Sequence, residues 1–375
     1  MKITKIEPFL VDRWVLIRVY TDEGIVGNGE AGHWAHPKIV YEEIREFSRY
    51  YVGRDPALIE HHWQVVSRNS HFMGSVISAA MSAIDIALWD ILGKSANLPV
   101  YQLLGGKCRD KVRVFGGAQG ETVEQFAESA SNSVKQGFTA LRPSPFFRDS
   151  PLQTPTKVIK TAVEIIKAVR EAIGDEVDLG VEVHRNLEPS EAIILAKELE
   201  PYRILFIEDP VPPESFEALD YVARHINIPI ATGERLYNIQ QFKELIDRKT
   251  ASFIRPDVAL AGGITHCKKI AALAEASFVG MLPHLMGSPV NTAAQVQLEA
   301  AIPNHVLQES NIIRPSAISE IVDEPLKLER GYYIVPDRPG IGVEINEDAL
   351  VKYPYKPSAS AEIIGVFHKD GSVAH

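Results

Sequence analysis

The sequence predicts an α/β protein in which a closed parallel β-barrel follows a smaller α+β domain. From about residue 112 onward, eight short apolar runs alternate with segments of helical periodicity. Each run ends in a polar or charged residue, and the runs recur at nearly constant intervals. Eight strand-helix units of this length are typical of a closed barrel rather than an open sheet.

The first part of the chain, residues 1–110, has a different texture. The segment VLIRVYTDEGIVGNGEAG reads as two strands joined by a turn around Gly24. Helical periodicities follow in PKIVYEEIREFSRYYVG and SAAMSAIDIALWDILGKSA. Strands followed by helices indicate an α+β domain.

The barrel is expected to occupy residues 111–320. Its predicted strands, in chain order, are VRVFGGA, TALRPSP, DLGVEVH, ILFIEDP, IPIATGE, ASFIRPD, FVGMLPH and HVLQES. Residues 321–375 break the rhythm, and we expect them to return and complete the N-terminal domain.

Six strand ends carry ionisable side chains in phase with the barrel. They are Glu182, Glu208, Glu234, Asp257, His284 and Glu309, at steps of 26, 26, 23, 27 and 25 residues. Each step is about one strand-helix unit, so all six are predicted at the C-terminal ends of their strands, where such barrels carry the active site.

Composition narrows the class of protein. The formal charge of −10 argues against a nucleic-acid binder. No uninterrupted apolar run approaches the ~20 residues that span a bilayer, and the N-terminus lacks a signal-peptide pattern. Two cysteines do not indicate a disulfide framework. We expect a cytoplasmic enzyme or binding protein for a small molecule.

Three of the strand-end carboxylates, Glu182, Glu208 and Glu234, would repel one another if they met without a counter-ion. A divalent cation relieves that repulsion, and oxygen-only ligands favour Mg²⁺ or Mn²⁺ over zinc. The simpler alternative is that each glutamate pairs with a nearby arginine.

Two histidines are candidate acid-base groups. His184 lies two residues after Glu182, and alternation along a strand would point both side chains into the same barrel mouth. Residues alone leave it open whether His184 is a metal ligand, a base or an acid. Asp257 lies one strand before His284 and is expected to hold its imidazole as a general base, a structural histidine being the alternative.

Several motifs carry a resemblance to a known family. They are MSAIDIALWDILGKSANLPVYQLLGG, LFIEDPV, IATGERL, IRPDVALAGGIT, MLPH and FHKDGSVAH. Over essentially its whole length the chain resembles the enolase superfamily, and within it the mandelate racemase-like acid-sugar dehydratases, especially galactonate dehydratases. The resemblance implies a modified TIM barrel, (β/α)7β, with an α+β capping domain, and a symmetric homo-oligomer.

The resemblance also implies roles for the strand-end residues. Glu182, Glu208 and Glu234 would bind one Mg²⁺ per subunit, although the first ligand is usually Asp. His284, held by Asp257, would be the base and His184 the acid that protonates the departing hydroxyl. Glu309 would be a protonated donor to the substrate carboxylate, a structural glutamate being the alternative.

Further residues are candidates for substrate binding. Arg142 and Ser144 stand where many relatives have a Lys-x-Lys pair, and arginine is a poor base. Arg142 is therefore expected to bind the substrate carboxylate or a distal hydroxyl. In the capping-domain loop GEAGHWAHP, His33, Trp34 and His36 are candidates to read substrate hydroxyls, or are ordinary loop residues.

Together these features predict a Mg²⁺-dependent dehydratase of an aldonate or aldarate, D-galactonate first, that forms a 2-keto-3-deoxy acid through an enediolate. A racemase or epimerase on the same fold is the first alternative, and a non-catalytic sugar-acid binding protein is the second. Nucleic acid and membrane are not expected as partners.

Overall fold

The computed structural model of this chain describes residues 1–32, 36–310, 319–357 and 367–373. The chain opens with an antiparallel sheet of three strands: β1 (Ile3–Val11), β2 (Trp14–Thr21) and β3 (Val26–Ala31). Four helices follow: α1 (Pro37–Tyr51), α2 (Ile59–Asn69), α3 (Ser75–Ala96) and α4 (Val100–Leu103). The predicted α+β capping unit is confirmed.

Strands and helices then alternate. The elements, in chain order, are β4 (Lys111–Arg113), α5 (Val123–Lys135), β5 (Ala140–Leu141), α6 (Pro155–Ile173), β6 (Asp178–Glu182), α7 (Pro189–Leu199), β7 (Ile204–Glu208), α8 (Phe216–Ala223), β8 (Ile230–Thr232), α9 (Ile239–Asp247), β9 (Phe253–Ile254), α10 (Gly263–Ala276), β10 (Gly280–Met281), α11 (Pro289–Ala300), β11 (Leu328–Glu329), β12 (Tyr332–Ile334) and α12 (Glu347–Lys352).

Strands β5 to β10 form one parallel sheet in chain order. Isolated parallel bridges continue it from Met281 to His305, from Gln308 to Val114 and from Gly116 to Leu141. The curled sheet thus returns to its first strand, and the predicted parallel α/β barrel is confirmed. The first and eighth predicted strands are reduced to these bridges.

The first predicted barrel strand serves two sheets. Residues 111–113 form β4, which pairs antiparallel with β12 of the β11–β12 hairpin. The chain then joins the barrel, first at the Arg113 carbonyl, which accepts from the Gln308 amide at 2.8 Å, and next through the bridges at Val114 and Gly116. Near the C-terminus, the backbone amide of Lys356 donates to the Asp12 carbonyl, so this segment contacts the first antiparallel sheet as well.

Local sequence signals set the helix starts. Thr122, Asn238 and Ser288 precede α5, α9 and α11, and each side chain accepts a hydrogen bond from a backbone amide in the first turn. Such caps satisfy amides that have no partner within the helix. Proline begins α6 and α11, where its missing amide proton costs nothing.

The barrel interior below the mouth is filled by apolar side chains. They are Phe115, Ala140, Phe206, Ala231, Leu282 and Leu307. Phe206 fits because β6 has Gly180 beside it, where a Cβ atom would lie 2.4 Å from the ring. This packed floor closes the barrel and leaves the C-terminal strand ends as its open face.

Helix α3 is the only described helix that is long and apolar enough to cross a membrane, with a mean hydropathy of 1.6. It packs instead between the first sheet and α10, and most of it is buried. Its contact with β3 is close enough that a Cβ at Gly29 would lie 2.1 Å from the Ala83 carbonyl oxygen. Helix α3 is therefore a core helix of the capping unit.

A buried carboxylate on α3 joins three segments of the chain. Asp90 accepts hydrogen bonds from the backbone amides of Asn28 and Ile341, each at 2.8 Å, and pairs with Lys94. Because these donors would lose their acceptor without water to replace it, we expect Asp90→Ala to lower the free energy of unfolding by about 3 kcal/mol. Denaturant unfolding measures the change.

The control is Asp110→Ala, since the Asp110 side chain is 96% exposed. Its unfolding midpoint should stay near that of the parent protein. A loss at Asp90 no larger than that at Asp110 would show that the three-segment contact contributes little to stability.

Candidate active site

The three predicted metal-binding carboxylates lie on neighbouring strand ends. Glu182 and Glu208 close β6 and β7 and are in register with each other. Glu234 follows β8 by two residues. Glu208 is fully buried and Glu182 nearly so. The parallel sheet therefore brings these acidic groups together at the barrel mouth, as the spacing predicted.

Arg142 reaches across this mouth. Its Nη1 donates to Glu182 Oε2 and, at 2.8 Å, to Glu208 Oε1, while Nη2 donates to Glu309 Oε1 at 2.5 Å. The guanidinium also lies 4.7 Å from the Phe115 ring centroid, within cation-π distance. One cation thus neutralises charge on three strand ends.

A second arginine lies beneath Arg142. The Arg255 side chain is completely buried, with Nε 3.0 Å from Glu208 Oε1 and Nη2 donating to Glu309 Oε2 at 2.6 Å. Burial alone would lower the pKa of Arg255, but Glu208 and Glu309 outweigh burial and raise it above its usual range. Arg255 is therefore a permanent positive charge in the floor of the site.

A third arginine serves the next strand. Arg185 Nη1 donates to Asp209 Oδ2 at 2.9 Å and to Glu234 Oε1. Burial raises the pKa of Asp209 to about 7, with Glu234 adding to the effect. Burial would also raise the pKa of Glu234. The positive charges of His284, Arg185 and Arg255 outweigh burial and hold that pKa below its usual range. Glu234 is thus the ionised member of the pair.

The predicted dyad is assembled. His284 Nδ1 lies 2.9 Å from Asp257 Oδ2, so Nε2 is the ring nitrogen that Asp257 does not engage. Asp257 Oδ1 accepts from the Ala259 amide and from Asn291 Nδ2. Burial alone would lower the pKa of His284, but Glu234, the bond to Asp257 and Glu309 raise it to about 9.

His284 Nε2 lies 3.6 Å from Glu234 Oε2. The imidazole therefore directs Nε2 toward Glu234 in the barrel mouth, while Asp257 holds the ring through Nδ1. The geometry suits a group that exchanges a proton with a ligand held at the strand ends.

We predicted the direction of the His184 side chain from alternation along a strand. His184 lies outside strand β6, so that alternation does not apply to it. Strand β6 ends at Glu182, and His184 and Arg185 form a left-handed turn with φ of 53° and 66°. His184 is open to solvent at the rim, with Nε2 2.7 Å from Arg185 Nη2. Crowding at the rim desolvates the ring and, with Arg185, lowers the pKa of His184.

Glu309, the predicted donor to the substrate carboxylate, contacts both Arg142 and Arg255. Burial would raise its pKa, but Arg142 and Arg255 outweigh burial and lower it. Glu309 also accepts a hydrogen bond from the Leu285 amide at 3.1 Å. These contacts favour its ionised form in this arrangement, and the donor role stays a prediction.

A cavity of about 400 Å³ opens on this group. Arg142, Ser144, Glu182 and Glu309 line it. The exposed Ser144 therefore lies beside Arg142, as the sequence predicted. His33 and Trp34, the predicted specificity residues of the capping loop, lie outside the described residues.

The three carboxylates Glu182, Glu208 and Glu234 are suitable ligands for a divalent cation, although neighbouring arginines partly neutralise their charge. Among the described residues no three His, Cys, Asp or Glu side chains stand as a ready metal cage. In this structure each of the three glutamates also contacts an arginine: Glu182 and Glu208 contact Arg142, and Glu234 contacts Arg185. Yet the buried Glu182 Oε1 and Glu208 Oε2 have no hydrogen-bond partner in the described part of the chain. Such oxygens are the donors that Mg²⁺ prefers.

Sequence reasoning missed four residues of this site: Arg185, Asp209, Arg255 and Asn291. For two of them the sequence position could have indicated a place in the site, because Arg255 is two residues before Asp257 and Asp209 directly follows Glu208. Asn291 had no such indication, because it reaches Asp257 from the first turn of α11.

Comparison with known proteins places this chain in a family. Residues 7–105 match the family model described as the mandelate racemase/muconate lactonizing enzyme N-terminal domain. Residues 125–349 match the model described as the enolase C-terminal domain-like family. The chain is 37% identical to a D-galactonate dehydratase of Pectobacterium atrosepticum, covering 94% of each chain, and 35% identical to one of Cronobacter sakazakii, covering all of both.

Solved structures agree. An enolase of Agrobacterium radiobacter, described as a candidate galactarate dehydratase and solved with sodium and L-malate bound, is 32% identical over the whole of both chains, with a TM-score of 0.92. A candidate dehydratase of Salmonella enterica serovar Typhimurium is 36% identical, covering 94% of this chain and 98% of that one, with a TM-score of 0.89. The chain belongs to the enolase superfamily, with both domains of its mandelate racemase/muconate lactonizing enzyme family.

Proposed function

We propose that this protein is a dehydratase of a sugar acid, a hydro-lyase that forms a 2-keto-3-deoxy acid from an aldonate or aldarate. The observation that carries the proposal is the His284–Asp257 dyad, whose Nε2 faces the strand-end carboxylate of Glu234 at a mouth that also holds three arginines. The full-length likeness to proteins named D-galactonate dehydratase supports it and makes D-galactonate the first substrate to test.

In this proposal the reaction begins at His284. Its Nε2 takes the proton from the carbon next to the substrate carboxylate, while Asp257 orients the ring and stabilises the imidazolium that results. Removing such a proton places negative charge on the carboxylate oxygens. The contacts with Glu234, Asp257 and Glu309 that raise the pKa of His284 to about 9 would stabilise the imidazolium that forms when the neutral ring takes the proton.

Glu182, Glu208 and Glu234 would hold a Mg²⁺ ion, or Mn²⁺. When bound, that ion supplies positive charge next to the substrate carboxylate. Arg142, with Ser144 beside it on the cavity wall, would bind the substrate's anionic end. Glu309 contacts Arg142 and Arg255 through its two oxygens, so it would position these arginines as well as act as the predicted donor once protonated.

The hydroxyl on the next carbon then leaves. His184, in the turn that follows Glu182 at the rim of the mouth, would donate the proton that converts it into water. One C–H bond and one C–O bond break, one water departs, and the enol product becomes the 2-keto-3-deoxy acid. The elimination is redox-neutral.

The same geometry disfavours racemisation. A racemase needs bases on both faces of the substrate carbon, and Arg142 stands where many relatives have lysines. Arg142 contacts three carboxylates, and an arginine is a poor base. One-base chemistry at His284 fits an elimination better.

A substrate screen tests the proposal. Purified protein with Mg²⁺ is incubated with aldonic and aldaric acids, D-galactonate first, and 2-keto acid is measured with a carbonyl reagent. We expect product from at least one acid, and none after EDTA treatment. Exchange of the substrate proton with deuterium without 2-keto acid would favour a racemase or epimerase. Saturable binding without either reaction would favour a binding protein.

A further inference from the structure

The feature that carries the inference is the place Arg142 takes between the candidate metal ligands. A single nitrogen, Nη1, contacts both Glu182 Oε2 and Glu208 Oε1. A magnesium ion bound by the same two carboxylates needs oxygens about 2.1 Å away. Nη1 and a bound ion would therefore occupy the same position and would both be stabilised by the same two carboxylates.

The three arginines of the site are not equivalent. The Arg255 side chain is fully enclosed and is tied to Glu309 and to the Leu282 carbonyl. Arg185 contacts Asp209 and Glu234. Arg142 lines the cavity, and its buried Nε has no partner in the described part of the chain. Arg142 is therefore the guanidinium with room to leave.

We propose that Arg142 is an intramolecular competitor of the divalent cation: it neutralises Glu182 and Glu208 when no metal is bound, and it releases them when the metal binds. The unpartnered Glu182 Oε1 and Glu208 Oε2 are where the incoming ion first finds free ligands. Once ion and guanidinium share these carboxylates, repulsion between the two cations favours a displaced Arg142.

The displaced side chain has a destination. The cavity of about 400 Å³ that it lines also contains Ser144 and the exposed edge of Phe146. There the released guanidinium can pair with the carboxylate of an incoming sugar acid, for which a bidentate arginine is suited. Metal binding thus prepares the substrate's anion site, and the expected order is metal first and sugar acid second. This inference rests on the metal site of the proposed function.

The test measures Mg²⁺ binding directly by titration calorimetry on metal-free protein, with no reliance on turnover. Removing a competitor strengthens binding, so Arg142→Gln is expected to bind Mg²⁺ about tenfold more tightly or better, in the range of typical coupling between sites. Arg142→Lys keeps the positive charge but lacks the guanidinium fork that bridges two carboxylates. Its Mg²⁺ affinity is expected to lie between those of the parent protein and Arg142→Gln.

Arg49→Gln is the matched control. Arg49 is exposed on α1, pairs only with Glu46 among the salt bridges of the described chain, and its loss changes the net charge by the same amount. Its Mg²⁺ affinity should equal that of the parent protein. Thermal unfolding adds an independent readout, because metal-free Arg142→Gln leaves its carboxylates uncompensated: its Tm should fall without Mg²⁺ and recover with it.

The possible results distinguish a failure of the Arg142 competition from a failure of the proposed metal site. Unchanged or weaker Mg²⁺ binding in Arg142→Gln, while the parent protein binds Mg²⁺, overturns the competition and leaves the proposed metal site intact. Failure of the parent and of both Arg142 variants to bind Mg²⁺ overturns both. If Arg142→Gln does not fold, Arg142→Lys decides: affinity at or below that of the parent overturns the inference.

Discussion

Replacing His284 with asparagine is expected to abolish dehydration, with a loss of turnover of at least 10²- to 10⁴-fold, the usual contribution of a positioned general base. Asparagine can still donate from its amide to Asp257, so the buried hydrogen bond that orders this strand end is kept. It has no nitrogen that accepts a proton at neutral pH. Turnover is measured by 2-keto acid release from the best substrate of the screen.

Two controls isolate the proton-transfer role of His284. His61→Asn changes an exposed histidine on α2 and should keep full activity. Thermal unfolding of His284→Asn should show a folded protein that still binds Mg²⁺. Undiminished activity in His284→Asn would remove His284 as the base, and exchange of the substrate proton with solvent would then have to be assigned to another group.

Replacing Glu208 with glutamine is expected to have the second large effect: loss of bound Mg²⁺, with affinity reduced by at least about 100-fold. Glu208 is the central carboxylate, fully buried between Arg142 and Arg255. The amide removes one negative charge from the ligand set and turns a donor toward two guanidinium groups. Metal content after dialysis and titration calorimetry both measure the change.

The comparison variant is Glu171→Gln, because Glu171 is an exposed residue of α6 whose nearest charged partner is Lys167. It should bind Mg²⁺ as the parent protein does. Full Mg²⁺ occupancy in Glu208→Gln would take Glu208 off the ligand set. Loss of metal together with loss of folded structure would mean that Glu208 serves mainly as the counter-ion of the two arginines.

Much of the fold followed from periodicity. Strand-helix units of nearly constant length brought Glu182 and Glu208 into register and placed Asp257 against His284. This inference was robust because parallel strands in one barrel end on the same face whatever lies between them. The repeat could not show that the first predicted run would divide between two sheets, because that depends on the β11–β12 hairpin more than 200 residues later.

The sequence pattern failed where the backbone left regular structure. Alternation predicted a shared direction for Glu182 and His184, but the strand ended at Glu182 and the chain entered a left-handed turn. Side-chain direction follows a two-residue period only while the strand continues. His184 still reached the rim of the site, through the turn rather than the strand.

By itself the sequence determined the barrel, the phase of its strand ends and the residue types that meet at the mouth, because these depend on spacing along the chain. Only the tertiary structure decided which charge each carboxylate takes as partner. Arg142 contacts residues 40, 66 and 167 positions away, across the mouth of the barrel. Such pairings depend on how far a side chain reaches across the closed sheet, and spacing along the chain does not specify that reach.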